Sequence, residues 1–214
     1  MTKVKICCIS SVAEAETALD MGASAIGLVG KMPSGPGVIA DDLIKDIAAK
    51  FKDRIETFLL TSETTAEGIF NHHRKAGTDT VQIVDRIDFK VYDKLRDLMP
   101  GVRLVQVVHV IDEKSVEEAV SVSSKADALL LDSGNPLSAV KILGGTGKVH
   151  DWKLSRMIVS ITKIPVYLAG GLNSDNVIEA VDAVKPYAVD VCSGVRTNGK
   201  LDLNKLKSFV NSLS

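Results

Sequence analysis

Two residues at the ends of short apolar runs carry the chemistry of a proton-transfer pair: Cys7 in VKICCIS (4–10) and Asp132 in DALLLDS (127–133). A thiol works as a base once ionised, and a carboxyl group works as an acid when burial keeps its proton on. Residue type and position leave other roles open. A buried cysteine also serves as an inert small hydrophobe, and an aspartate before Ser-Gly also caps a turn. Further along, LAGGLNSDN (168–176) and VCSGVRTNG (191–199) supply Gly170, Gly171, Ser193 and Gly194. Glycine lets backbone amides approach a ligand closely, so these stretches predict phosphate binding, although tight turns use glycine too. Asp190 and Lys5 suit either an interior ion pair or a catalytic role.

Such residues need elements to hold them. Eight β-branched or apolar runs recur, at 4–9, 25–30, 55–60, 80–84, 103–110, 127–132, 165–169 and 188–193. Helical spacing fills the gaps, as in VAEAETALDMG (12–22) and SDNVIEAVDAV (174–184), the latter with Ser174 as a candidate N-cap. Alternating strands and helices predict an α/β fold with parallel strands, and eight repeats favour a (β/α)8 TIM barrel, one domain over residues 1–214. In that architecture chemistry gathers at the C-terminal strand ends, where Cys7, Gln82, His109, Asp132, Gly170, Gly171, Ser193 and Gly194 fall. Parity puts Asp132 inside, on the face of Ala128 and Leu130, and puts Cys7 on the face of Lys5. The same alternation sends Cys8 outward to the helices. The long segment 133–151 between the sixth strand and its helix is a lid candidate.

Twenty-six basic against 27 acidic residues give a net charge of −1, which offers no electrostatic reason for nucleic acid or an anionic membrane as partner. The opening MTKVKICCIS reads as a strand rather than a leader, so a cytoplasmic chain is expected. Three cysteines, two of them adjacent, point to reduced thiols. GGTGK (144–148) lacks P-loop spacing, and four scattered histidines make no metal-ligand cluster. Of these, His72 and His73 are expected to face solvent.

VKICCIS, ETALDMGASAIGLV, LLLDS, GGTGKVHDW, LAGGLNSDNV and VDVCSGVRTNGKLD follow one another in the chain. Together they resemble the phosphoribosylanthranilate isomerase family of tryptophan biosynthesis. The resemblance implies a (β/α)8 barrel that performs an Amadori rearrangement of a phosphoribosylated aminoaldose into an aminoketose. It implies no metal or organic cofactor, and a small phosphorylated substrate as ligand. Cys7 then matches the general base at the sugar carbon next to the imine, and Asp132 the general acid at the furanose oxygen. Gly170, Gly171, Ser193 and Gly194 match the phosphate-holding segments, Asp190 a ligand-facing aspartate, and Gln82 a substrate-side residue. Cys8 stands where the family usually has glycine.

Three departures accompany the match. KMPSGPGVI (31–39) lacks the arginine of a family serine-proline-arginine motif that meets the anthranilate carboxylate. IVDR (83–86) replaces leucine-histidine-glycine, and Arg196 replaces a glutamate. Because a bidentate arginine suits a carboxylate, Arg196 or Arg86 is expected to take over that contact. The alternative is a paralogous barrel acting on, or merely binding, another phosphorylated sugar or amino-sugar ligand. A pure binder would not need both Cys7 and Asp132. A monomer and a homodimer are both compatible with the sequence.

Overall fold

A computed structural model describes residues 2–134 and 151–213. Eight parallel strands, β1 (Lys3–Ile6), β2 (Ala25–Val29), β3 (Glu56–Thr61), β4 (Thr80–Ile83), β5 (Arg103–His109), β6 (Ala128–Asp132), β7 (Val166–Leu168) and β8 (Ala188–Val191), close into a barrel in sequence order. Helices follow the strands: α1 (Val12–Asp20), α2 (Asp41–Phe51), α3 (Ala66–Ala76), α4 (Phe89–Leu98), α5 (Lys114–Val122), α6 (Trp152–Ile161), α7 (Val177–Val184) and α8 (Leu203–Ser212). The (β/α)8 expectation therefore holds. Most of the proposed lid, residues 135–150, and with it His150 and GGTGK, lies outside the described residues.

Side-chain alternation divides the buried residues into two shells. Val4, Ile6, Val81, Ile83, Leu104, Val108, Leu129, Leu131, Val189 and Val191 point outward into the layer shared with the helices. The interior receives Ala25, Phe58, Val105, Val107, Ala128, Leu130, Tyr167 and Ala188, and Phe58 meets Tyr167 edge-on with ring centroids 5.7 Å apart. Strands covered on both faces must be apolar nearly throughout, which is why these runs read as continuous rather than alternating.

Local chemistry sets the helix starts. The Ser11 hydroxyl accepts from the Glu14 amide at 3.2 Å, and the Glu14 carboxylate reaches back to the Ser10 amide at 2.9 Å, a variant of the capping box. The start of α7 differs from expectation: its N-cap is Asn176, not Ser174. The intervening residues form a turn in which Asn173 and Asn176 use their side chains on backbone amides at 2.8 and 2.9 Å, and this delays the helix. The two helical histidines also depart from the solvent-facing expectation. His72 Nδ1 lies 2.8 Å from Thr61 Oγ1 and its Nε2 3.3 Å from Asp41, while His73 Nε2 lies 2.7 Å from the Thr78 carbonyl. They fasten α3 to its neighbours.

Candidate active site

The C-terminal ends of the strands enclose a mouth lined by Cys7, Gln82, Asp132, Gly170, Gly171, Asp190 and Ser193, among others. Five strands and their loops thus bring seven of the nine expected residues to one place. Gly194 stands just behind it. A Cβ there would lie 2.0 Å from the Leu172 carbonyl oxygen, so only glycine lets the loop after β8 pack against the loop after β7. Gly170 and Gly171 both have positive φ, 87° and 67°, which turns the chain sharply at the rim. Ser193 opens a short 3₁₀ turn, Ser193–Val195.

Asp132 is 7% exposed, and burial pushes its pKa up to about 6, with the nearby Asp190 adding to the shift and the Ser133 amide, 2.8 Å away, opposing it. A carboxyl group in that range can hold a proton near neutrality and release it. Beneath the mouth, the fully buried Lys5 ammonium lies 2.9 Å from Asp190. Burial alone would lower the Lys5 pKa, but Asp190 and the neighbouring thiols raise it well above the ordinary value. Asp190 itself is raised by burial against the pull of Lys5. Lys5 Nζ also sits 5.1 Å from the centroid of the Phe58 ring, an attractive cation–π placement. A Cβ added to Gly27 of β2 would stand 2.9 Å from Cys7 Sγ and 3.2 Å from Lys5 Nζ. Thiol and ammonium therefore share the space that this glycine leaves open.

Strand alternation fails at Cys8, and its expected outward orientation is corrected. β1 ends at Ile6, although the Cys7 amide still donates to the Val191 carbonyl at 2.8 Å. Cys8 then takes a left-handed backbone, φ 62°, which reverses the direction its side chain would have had. Its thiol joins the mouth, 2.7 Å from Cys192 Sγ and 3.6 Å from the Pro36 carbonyl. The contact with Cys192, followed by that with Cys7 and by burial, pushes the Cys8 thiol up. The hydrogen bond with Cys8, helped by Arg196, pulls Cys192 down despite its burial.

Neither arginine proposed for a carboxylate lines the mouth. Arg196 is 8% exposed and grips the Glu14 carboxylate at 3.1 and 3.2 Å, the Cys8 carbonyl at 2.5 Å, the Cys7 carbonyl at 3.2 Å and the Gly199 carbonyl at 3.0 Å. It braces the turn after β1. Burial opposes ionisation of Glu14, yet Arg196 and the amides of Leu201 and Ser10 hold its carboxyl below the usual range. Arg86 pairs with Glu118 on the outer surface. The sequence placed His109 at the end of the fifth strand run but gave it no role. Val105 and Val107 of the same strand face the interior while Val108 and Val110 face the helices, so His109 points inward, in register with Asp132. The shared face was legible in RLVQVVHV, had the strand been read as three inward positions.

A closed parallel barrel with a buried carboxyl group, a thiol and glycine-rich rims at one mouth defines a (β/α)8 barrel with a preformed polar site at its C-terminal face. The model for the N-(5'-phosphoribosyl)anthranilate isomerase family matches residues 4–212. The isomerase of Methanocella arvoryzae is 35% identical over 216 positions, covering 100% of this chain and 98% of that protein. That of Methanosarcina acetivorans is 33% identical, covering 99% and 93%. Among solved structures, the Thermotoga maritima isomerase superposes with a TM-score of 0.85 at 28% identity, covering 99% and 98%. A phosphoribosyl anthranilate isomerase solved with reduced 1-(o-carboxyphenylamino)-1-deoxyribulose 5-phosphate gives 0.81 at 25%, with the same coverage. The chain belongs to the phosphoribosylanthranilate isomerase family.

Proposed function

We propose that this chain isomerises N-(5'-phosphoribosyl)anthranilate to the corresponding 1-amino-1-deoxyribulose phosphate in tryptophan biosynthesis. The family match across nearly the whole chain carries the reading, and the mouth supplies the groups the chemistry needs. Asp132, holding its proton in a buried site, donates it to the furanose ring oxygen; the C1–O bond breaks and the nitrogen lone pair forms the imine. Cys7, as the base, removes the proton from C2, and those electrons neutralise the nitrogen to give the enolamine. Tautomerisation yields the aminoketose. Two proton transfers at different atoms require groups in opposite protonation states, one on each side of the sugar.

The phosphate rests on the loops bearing Gly170, Gly171, Ser193 and Gly194, whose geometry turns backbone toward the rim. Gln82 and Asp190 contact the sugar from below, and Lys5 keeps Asp190 ionised against burial. The chain works as one barrel domain, residues 1–214, and as a cytoplasmic enzyme; among the described residues no helix is long and apolar enough to cross a membrane. A monomer or a homodimer fits, and a solved relative is described as monomers generated from the dimeric Thermotoga maritima isomerase.

The test is loss of substrate fluorescence with the purified protein. Turnover is expected, and its absence from a folded protein that still binds inorganic phosphate would shift the reading to another phosphorylated substrate.

A further inference from the structure

We propose that Cys8 and Cys192 form a peroxide-reactive thiol pair on the wall of the mouth, which hydrogen peroxide converts to a disulfide that added thiol reverses.

The pair is a product of the fold. Its members are 184 positions apart and meet because β8 closes the barrel beside β1, with Ile6 in register with Val191. Cys8 reaches its partner through a left-handed backbone, φ 62°, a conformation that glycine enters freely and that is costly for a residue with a side chain. Backbone held in such a region at a site is a pointer to function. Here it delivers Cys8 Sγ to 2.7 Å from Cys192 Sγ. The sulfurs need to close by less than about 1 Å to reach the bonded distance of about 2.05 Å. Cys7, the third thiol at the mouth, is poorly placed to bond with Cys8. Consecutive Cα atoms stand about 3.8 Å apart, short of the roughly 4.4–6.8 Å that a disulfide usually spans. Its Sγ lies instead toward Lys5, in the space that Gly27 leaves open.

Both members can be reached, since Cys8 and Cys192 line the mouth and Cys192 is only partly buried. Their surroundings divide the roles. Contact with Cys8, helped by Arg196, pulls the Cys192 thiol down and favours the thiolate, the form that attacks. Cys8, pushed up, keeps its proton. The Cys192 thiolate attacks one peroxide oxygen, the O–O bond breaks, and the departing hydroxide takes up the proton that Cys192 released, leaving a sulfenic acid and water. Cys8 sulfur then attacks the Cys192 sulfur; the S–S bond forms, the S–O bond breaks, and the hydroxide leaves with the Cys8 proton as a second water. Two thiols lose two electrons in all, and one peroxide gains them. The change extends to the loop after β2. Cys8 no longer has an S–H to donate to the Pro36 carbonyl 3.6 Å away, and Gly37 packs so near that a Cβ on it would stand 2.5 Å from the Cys8 Cβ.

The experiment treats the folded wild-type protein with one equivalent of hydrogen peroxide, unfolds it, blocks remaining thiols with iodoacetamide and maps the peptides by mass spectrometry. Fragmentation between the adjacent cysteines tells Cys7 from Cys8. The expected product has lost two hydrogens, links Cys8 to Cys192, carries the alkyl group on Cys7, and returns all three thiols with dithiothreitol. Cys8→Ser should stop at a sulfenic acid on Cys192 that dimedone traps. Cys192→Ser should slow oxidation of Cys8 by at least about tenfold. Should either variant fail to fold, the wild-type map decides alone. A link that includes Cys7, a link between two molecules, sulfinic acid without a link, or thiols left untouched by peroxide would overturn the proposal. None of these readouts uses turnover, so the proposal is tested apart from the isomerase reading.

Discussion

On the β7–β8 side of the mouth the surface offered to a ligand is largely backbone, whereas from β2 to β5 it is largely side chain. Gly170, Gly171 and Gly194 are held by positive φ or by a carbonyl 2.0 Å from where a Cβ would stand. Little else fits there, so this half tolerates few residue types. The other half is built from Met32, Leu60, Gln82, Val84 and Val107, side chains of ordinary strands and of the loop after β2. Leu60, Val84 and Val107 also belong to the packed barrel interior, so changes there are limited by volume rather than by backbone conformation. A contact made by peptide groups is therefore fixed by the fold, whereas one made by side chains is open to substitution.

The largest expected effect lies where the halves meet. Cys7→Ala and Asp132→Asn should each lower turnover by about 10²–10⁴-fold, the usual range for losing one proton-transfer group, with the folded protein retained. Steady-state assays on both variants check this. An effect under tenfold for either would move the chemistry to other residues and dissolve the meeting point.

Next comes the support beneath the β8 side. Lys5→Met leaves Asp190 buried without its cation and should destabilise the fold by about 3–5 kcal/mol in denaturant unfolding. The double variant Lys5→Met, Asp190→Leu should regain much of this, because the stranded charge is gone. If the single variant is as stable as wild type, the pair is not what holds this side.

Asp132 gives a smaller effect with a defined pH window. Its carboxyl is ordinarily near 3.8 and is raised to about 6 in the fold, so the folded state binds the proton more tightly than the unfolded chain. Stability is thus lost as pH rises from about 4 through about 6, by up to ~3 kcal/mol. Asp132→Asn should therefore unfold at a higher temperature than wild type at pH 8, and the gain should vanish below pH about 4. The acid-dependent limb of wild-type kcat/KM should fall as pH rises above about 6. A variant no more stable at pH 8 would mean the carboxyl is not strained by its site.

The sequence revealed the two halves unequally, for physical reasons. Strand runs and glycine stretches are local signals, so the barrel and the rim around Gly170 and Ser193 were legible. Cys8 was misplaced because one left-handed residue cancels alternation, and nothing in ICCIS marks a positive φ on a cysteine. Arg196 was taken for a ligand group because its residue type suits a carboxylate. Its bonds to Glu14, 182 positions away, appear only when the barrel closes β8 beside β1. His109 was read as isolated, and among the described residues neither of its ring nitrogens has a hydrogen-bond partner.

The smallest effect sharpens the contrast between side chains that line the mouth and those beside it. Arg86→Ala removes an exposed pair with Glu118 and should change stability by less than about 1 kcal/mol, with KM unchanged. A large rise in KM would return Arg86 to the carboxylate.

The central claim, that the thiol after β1 takes the proton from the sugar, is tested most directly with substrate deuterated at the ribose C2 and enzyme in excess. Wild-type protein should release the label to solvent in a single turnover, and Cys7→Ala should bind the substrate and leave the label in place. Release from Cys7→Ala at the wild-type rate would contradict the account and assign the base to another group.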